Sequence, residues 1–196
     1  MRPTINEDAE REQRVSVPLD ESVERALQIY RNVDYEDNKY AMHDYIRSKY
    51  QELFLPLLSP AQIDIVLHKI IAQTPKEKLF DGMTGDYFSE LVKRSYNEGN
   101  NNFVLTTNDT SIDNLPTRIS GTKNTPLHIL VSGNLGRFAA KKTQYIDLIV
   151  RGDIGHFFCC DAEHSVFTLY GVMKGNFFFR PQIVSLMLHG RTSTQK

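Results

Sequence analysis

Between Leu127 and Gly190 apolar residues occupy every second position in short runs, and the runs recur with a spacing of 19 residues. Leu130-Val131-Ser132-Gly133, Ile149-Val150-Arg151-Gly152, Thr168-Leu169-Tyr170-Gly171 and Met187-Leu188-His189-Gly190 fall in one register. Two positions before each glycine stand Val131, Val150, Leu169 and Leu188, and four before stand Ile129, Leu148, Phe167 and Leu186. One parity is uniformly apolar and the other mixed, which predicts strands with one face in a core. A unit this short cannot bury its apolar face alone. Equal units wound as successive laps can, so the pattern predicts a parallel β-solenoid whose aligned glycines serve tight corners and positive φ.

Upstream the spacing changes from two to helical. Asp20 is placed to cap a helix carrying Val23, Ala26, Leu27 and Tyr30, and a second helix is expected from Asp37 or Asn38 through Phe54, stopped by Pro56. Ser59, Pro60 and Gln62 form a capping-box start for a third, with Ile63, Val66, Leu67 and Ile70 on one side. A fourth follows Thr84, presents Tyr87, Phe88, Leu91, Val92 and Tyr96, and ends at Gly99. The expected class is α+β: a loose tail over 1–18, an α-helical unit over 19–100, and a short right-handed parallel β-helix with a 19-residue coil over 101–196. Residues 108–126, rich in Asn, Asp, Thr, Gly and Pro, read as a loop-rich first coil. An open solenoid end exposes backbone groups and core side chains, so the helices are candidates to cap one end.

Within the repeat, Gly133-Asn134-Leu135-Gly136-Arg137-Phe138 and Val150-Arg151-Gly152-Asp153-Ile154-Gly155-His156-Phe157 resemble the glycine-rich coil of the GXGXG domain. That domain is a right-handed β-helix at the C-terminal end of the glutamate synthase large subunit, and a similar coil occurs in one of the subunits of formylmethanofuran dehydrogenase. The resemblance covers roughly residues 118–190. Gln144-Tyr145 and Glu163-His164 stand where the family places glycine pairs, and Lys174 stands where Gly155 predicts a third second glycine. In those enzymes the domain props its neighbours, so the resemblance implies no catalytic residue.

Composition adds exclusions. The chain has 196 residues and a formal net charge of −1, which disfavours a general nucleic-acid binder. Residues 1–100 hold 13 Lys+Arg against 18 Asp+Glu, net −5, and residues 101–196 hold 10 against 6, net +4. No apolar run is long enough to span a bilayer, and Met1-Arg2-Pro3-Thr4-Ile5 lacks the form of a secretory signal. Two adjacent cysteines make no disulfide framework, so the expected compartment is the cytoplasm.

The densest set of metal-ligand types is His156, Cys159, Cys160 and His164. Adjacent residues of a strand-like segment face opposite ways, and Cys159 occupies the column of Ala140, so core packing is the expected role and no cofactor or metal is assigned. Gly133-Asn134-Leu135-Gly136 lacks the Lys-Ser/Thr of a phosphate loop, and no triad-like set of Ser, His and Asp recurs. An enzyme is therefore the less favoured reading. The expected function is a non-catalytic scaffold or interaction protein, with protein partners or self-association through the C-terminal coil end. The alternative is an accessory subunit of a glutamate synthase-like amidotransferase or a formylmethanofuran dehydrogenase-like redox complex.

Overall fold

The computed structural model describes residues 20–32, 54–74, 82–174, 182–189 and 192–193. Among the described residues three α-helices precede seven strands in order: α1 Glu21–Asn32, α2 Pro60–Gln73, α3 Met83–Asn97, β1 Asn102–Ile112, β2 Leu127–Leu135, β3 Ile146–Val150, β4 Glu163–Leu169, β5 Met173–Lys174, β6 Gln182–Leu188 and β7 Thr192–Ser193. The expected tail, the expected second helix from Asp37 as far as Leu53, Gly190 and the Phe177–Phe179 run lie outside the described residues; Phe54, the expected last residue of that helix, stands in a turn with φ 47°.

The β part is a solenoid of about four laps. One wall is a parallel sheet in the order β1-β2-β3-β4-β6, and β5 pairs with β7 in a second. The register advances by one repeat per lap: Val131 stands against Val150, Val150 against Leu169, and Leu169 against Leu188. Ile129, Leu148, Phe167 and Leu186 form the neighbouring file. A third connects Leu135, Ile154 and Met173 across the next corner. Val131, Leu148, Val150 and Phe167 are completely buried, and Phe158 meets Phe167 edge-on inside the lap at 5.2 Å. The first lap is longer, since Phe103 pairs with Ile129 and Thr117 with Lys141. Its extra residues lie in the polar 108–126 stretch.

The glycines have a different role from the one expected. Of the repeat glycines in the described residues, only Gly133 takes positive φ, at 129°. Gly152 and Gly171 are needed for vertical approach. A Cβ at Gly152 would overlap the carbonyl of Gly133, and one at Gly171 would overlap that of Gly152. Left-handed corners are instead made by side-chain-bearing residues in pairs one lap apart: Phe138 and Phe157, Ala140 and Cys159, Lys142 and Asp161, Tyr145 and His164. Each such residue costs about 1–2 kcal/mol in isolation. Hydrogen bonds to the next lap hold them, for example Phe138 N–H to the His156 carbonyl at 2.9 Å and Lys142 N–H to that of Cys160 at 2.8 Å.

The helices close the β1 end. In α2 the Ser59 and Gln62 side chains satisfy each other's backbone N–H groups, Pro60 opens the helix, and Ile63, Val66, Leu67 and Ile70 are buried. This helix lies along β1, where Asp64 accepts the Thr106 backbone N–H at 2.7 Å. An edge-strand donor thereby gains a charged acceptor. Helix α3 begins at Met83, before Thr84, because the Thr84 hydroxyl bonds the Tyr30 hydroxyl at 2.8 Å and does not cap. Its first turn sits so close to the first lap that a Cβ on Gly85 would overlap the Asp113 carbonyl, and the Thr117 N–H donates to Ser89 Oγ at 2.9 Å. Asp113, 5% exposed, then links the first lap to the second by accepting from the Arg137 backbone N–H at 2.6 Å and its Nε at 2.8 Å. Helices and laps share one continuous buried cluster.

Candidate interaction face

On β2 and β3 burial alternates, so the residues of the second parity point away from the solenoid interior, and Val104 on β1, Val166 on β4 and Met187 on β6 stand in register with them. The register aligns them in files that cross the whole wall. The central file is Val104, Leu130, Ile149, Thr168 and Met187. Val104 and Met187 are each 48% exposed, Leu130 and Ile149 are half-buried, and Thr168 between them and Met187 is buried at 8% exposure. Since the inner face is already filled by its own files, this apolar row is surplus to the core.

Polar and aromatic side chains frame it. On one flank stand Asn102, His128 and Asp147, with His128 Nδ1 and Asp147 Oδ2 3.3 Å apart, then Val166, 37% exposed. Asn102, Val104, His128, Leu130, Asp147 and Ile149 line a shallow groove of about 280 Å³. At the corner beyond, the rings of Tyr145 and His164 stack at 4.9 Å and 11°, and Gln144 donates to Glu163 at 2.9 Å. On the other flank Tyr170 and His189 stack at 4.7 Å and 11°. Each of these pairs is separated by 19 residues, the lap length. The sequence therefore carries the signal at Tyr145 and His164, positions marked only as departures from a glycine pattern.

A further ladder follows the glycine corner. Asn134 Oδ1 accepts the Asp153 N–H at 2.7 Å, and Asp153 Oδ1 accepts the Val172 N–H at 2.9 Å. Lys174 Nζ lies 2.9 Å from Asp153 Oδ2. The hydrogen bond from Lys174, then that from Val172, holds the Asp153 carboxyl below its ordinary pKa.

The four metal-ligand candidates are not brought together. Cys159 is buried beside Ala140, and burial, with the neighbouring Cys160 as a lesser cause, pushes its thiol up to about 12. Cys160 Sγ contacts the Phe157 carbonyl at 3.1 Å. His164 is stacked on Tyr145, and His156 lies exposed with its ring tilted against Phe157, 6.1 Å away. Among the described residues no three His, Cys, Asp or Glu side chains converge in a metal-binding arrangement. Phe138 and Phe157 share a column and stack at 4.9 Å, but at a half-buried corner rather than in the interior. Among the described residues, no helix is long and apolar enough to cross a membrane. Comparison of the chain with protein families, curated proteins and solved structures finds no match to any of them.

Proposed function

We propose that the protein is a non-catalytic scaffold that receives a protein partner on the outer wall of its solenoid. The observation that carries this is the file from Val104 to Met187, apolar except at Thr168 and framed by polar and stacked aromatic side chains. Five strands separated by about 4.8 Å give the file a length of roughly 19 Å. An amphipathic helix of about three and a half turns has an apolar stripe of that length, so a helix laid along the solenoid axis suits the row. Polar groups on the flanks would fix its orientation.

The test uses the full chain with Val104→Glu and Ile149→Glu, which load two places of the file with charge and leave the inner core alone. In cross-linking within native cells, wild type is expected to link a partner to residues of the outer wall. The reconstituted complex is expected to weaken at least tenfold in the double variant at unchanged melting temperature. Cross-links confined to other surfaces, or equal affinity of the variant, would refute the reading. The accessory-subunit alternative rests on the glycine-rich laps from Gly133 to Phe138 and from Val150 to Phe157, and no family match adds to it. A cross-linked partner bearing a glutaminase, flavin or metal centre would select it.

A further inference from the structure

The edge of the sheet opposite the helices has no partner strand among the described residues, because β6 pairs with β4 alone in the five-stranded wall. Its inward files meet water there. Val131 and Val150 are fully buried and Leu169 is 1% exposed, whereas Leu188 at the end of the same file is 42% exposed. Leu186 is only partly buried. An edge of this kind is a template for another strand. Edge strands that resist such pairing carry charge or proline, and Gln182-Ile183-Val184-Ser185-Leu186-Met187-Leu188 has neither.

We propose that two copies of the chain join tail to tail, with their β6 strands paired antiparallel about a two-fold axis perpendicular to the sheet. Three features select a second copy over other occupants. First, head-to-tail stacking would need the β1 edge, and α2 with Asp64 already occupies it. Among the described residues this leaves the β6 edge, and pairing of one edge with its own copy gives a closed pair. Second, antiparallel pairing about a two-fold matches positions of equal parity. Leu186 and Leu188 of each copy then fall on the inner side together, Met187 falls on the outer side, and the two cores become coaxial and continuous. Third, a two-fold brings identical side chains face to face, which penalises any charge near the axis, and β6 is uncharged. The apolar file of the outer wall then runs through the axis from one copy into the other. The pairing does not depend on the helix-binding role of that file.

Sedimentation equilibrium of the full chain tests this from about 1 to 100 µM. The expected species are monomer and dimer with nothing larger, since both far ends of the pair are helix-covered. Met187→Lys places two ammonium groups about the axis and is expected to raise the dimer dissociation constant at least tenfold. Ser185→Lys, at an exposed outward position, serves if the first variant does not fold. Val104→Lys, at the other end of the outer file, is expected to leave the dimer unchanged. A wild-type monomer throughout that range overturns the proposal. So does an open-ended series of oligomers, or a dimer that survives Lys at 187 or 185 and is lost with Lys at 104. The last outcome would place self-association on the outer face and leave the partner reading to its own experiment.

Discussion

The two ends of the solenoid carry the same architectural problem and treat it differently. At β1, a helix with four fully covered apolar residues lies over the first lap, and a carboxylate takes up an edge N–H. At β6 the same inward files run out half-exposed. A stack of laps contributes stability through each interface between neighbours, so an interior lap has two interfaces and an end lap has one plus whatever covers it. The helices at the first end supply that second interface. At the other end it comes from outside the described residues or from a second copy.

The sharpest way to break this comparison is to shorten one file at two heights. Leu169→Ala empties a position 1% exposed, enclosed by Val150 below and Leu188 above, and is expected to cost about 2–5 kcal/mol in chemical denaturation. Leu188→Ala removes the same atoms from a position 42% exposed. At sub-micromolar concentration it is expected to cost less than about 1 kcal/mol. If dimerisation covers Leu188, the penalty grows as the concentration rises through the dissociation constant. Equal and concentration-independent losses at the two sites would mean that the ends do not differ.

A smaller effect tests the covered end by itself. Asp64→Ala leaves the Thr106 N–H without its acceptor beneath α2, and the expected loss is about 1–3 kcal/mol. Asp64→Asn keeps an acceptor oxygen and should recover part of it. Hydrogen exchange at Thr106 is the direct readout: the alanine variant exchanges faster there, while amides in β3 and β4 stay protected. Unchanged protection at Thr106 would show that helix packing alone guards the edge.

The lap length is legible because a parallel stack repeats identical environments at identical spacing. Val131, Val150, Leu169 and Leu188 carry that spacing in their apolarity, and the capping box at Ser59 carries its helix start in local chemistry. What stays hidden depends on contacts across sequence distance. The left-handed corners fall on Phe138, Ala140 and Lys142, residue types with no preference for positive φ, because hydrogen bonds from adjacent laps impose the conformation. Nothing local marks Asp64 as the acceptor for an N–H 42 residues away. Sequence misplaces the start of α3 for a related reason, since Thr84 has the composition of a cap but is engaged by Tyr30. The outer apolar file reads only as mixed positions, because Leu130 and Ile149 alternate with inward residues that are equally apolar. The Tyr145–His164 and Tyr170–His189 stacks lie within reach, as the repeat spacing alone pairs them.

The smallest expected effect concerns the polar ladder inside the stack, where a charge has been added to a bond that does not require one. Asn134 and Asp153 stand one lap apart, and each accepts a backbone N–H from the lap above through Oδ1. Asn134 does so without charge; Asp153 also pairs with Lys174. Asp153→Asn therefore keeps the ladder and removes the ion pair, and the pair is exposed enough that the loss is small. The sign follows from the lowered pKa: the stabilisation is present above the unfolded carboxylate value of about 4 and is lost as the pH falls through the lower folded value. Melting temperatures of wild type and variant should thus differ by a small constant amount from about pH 5 to 9 and begin to converge only as the pH falls below about 4. A difference that persists undiminished at low pH would mean the asparagine has disturbed the hydrogen bond to Val172. The geometry of the ladder, rather than the charge on it, would then be what the lap above depends on.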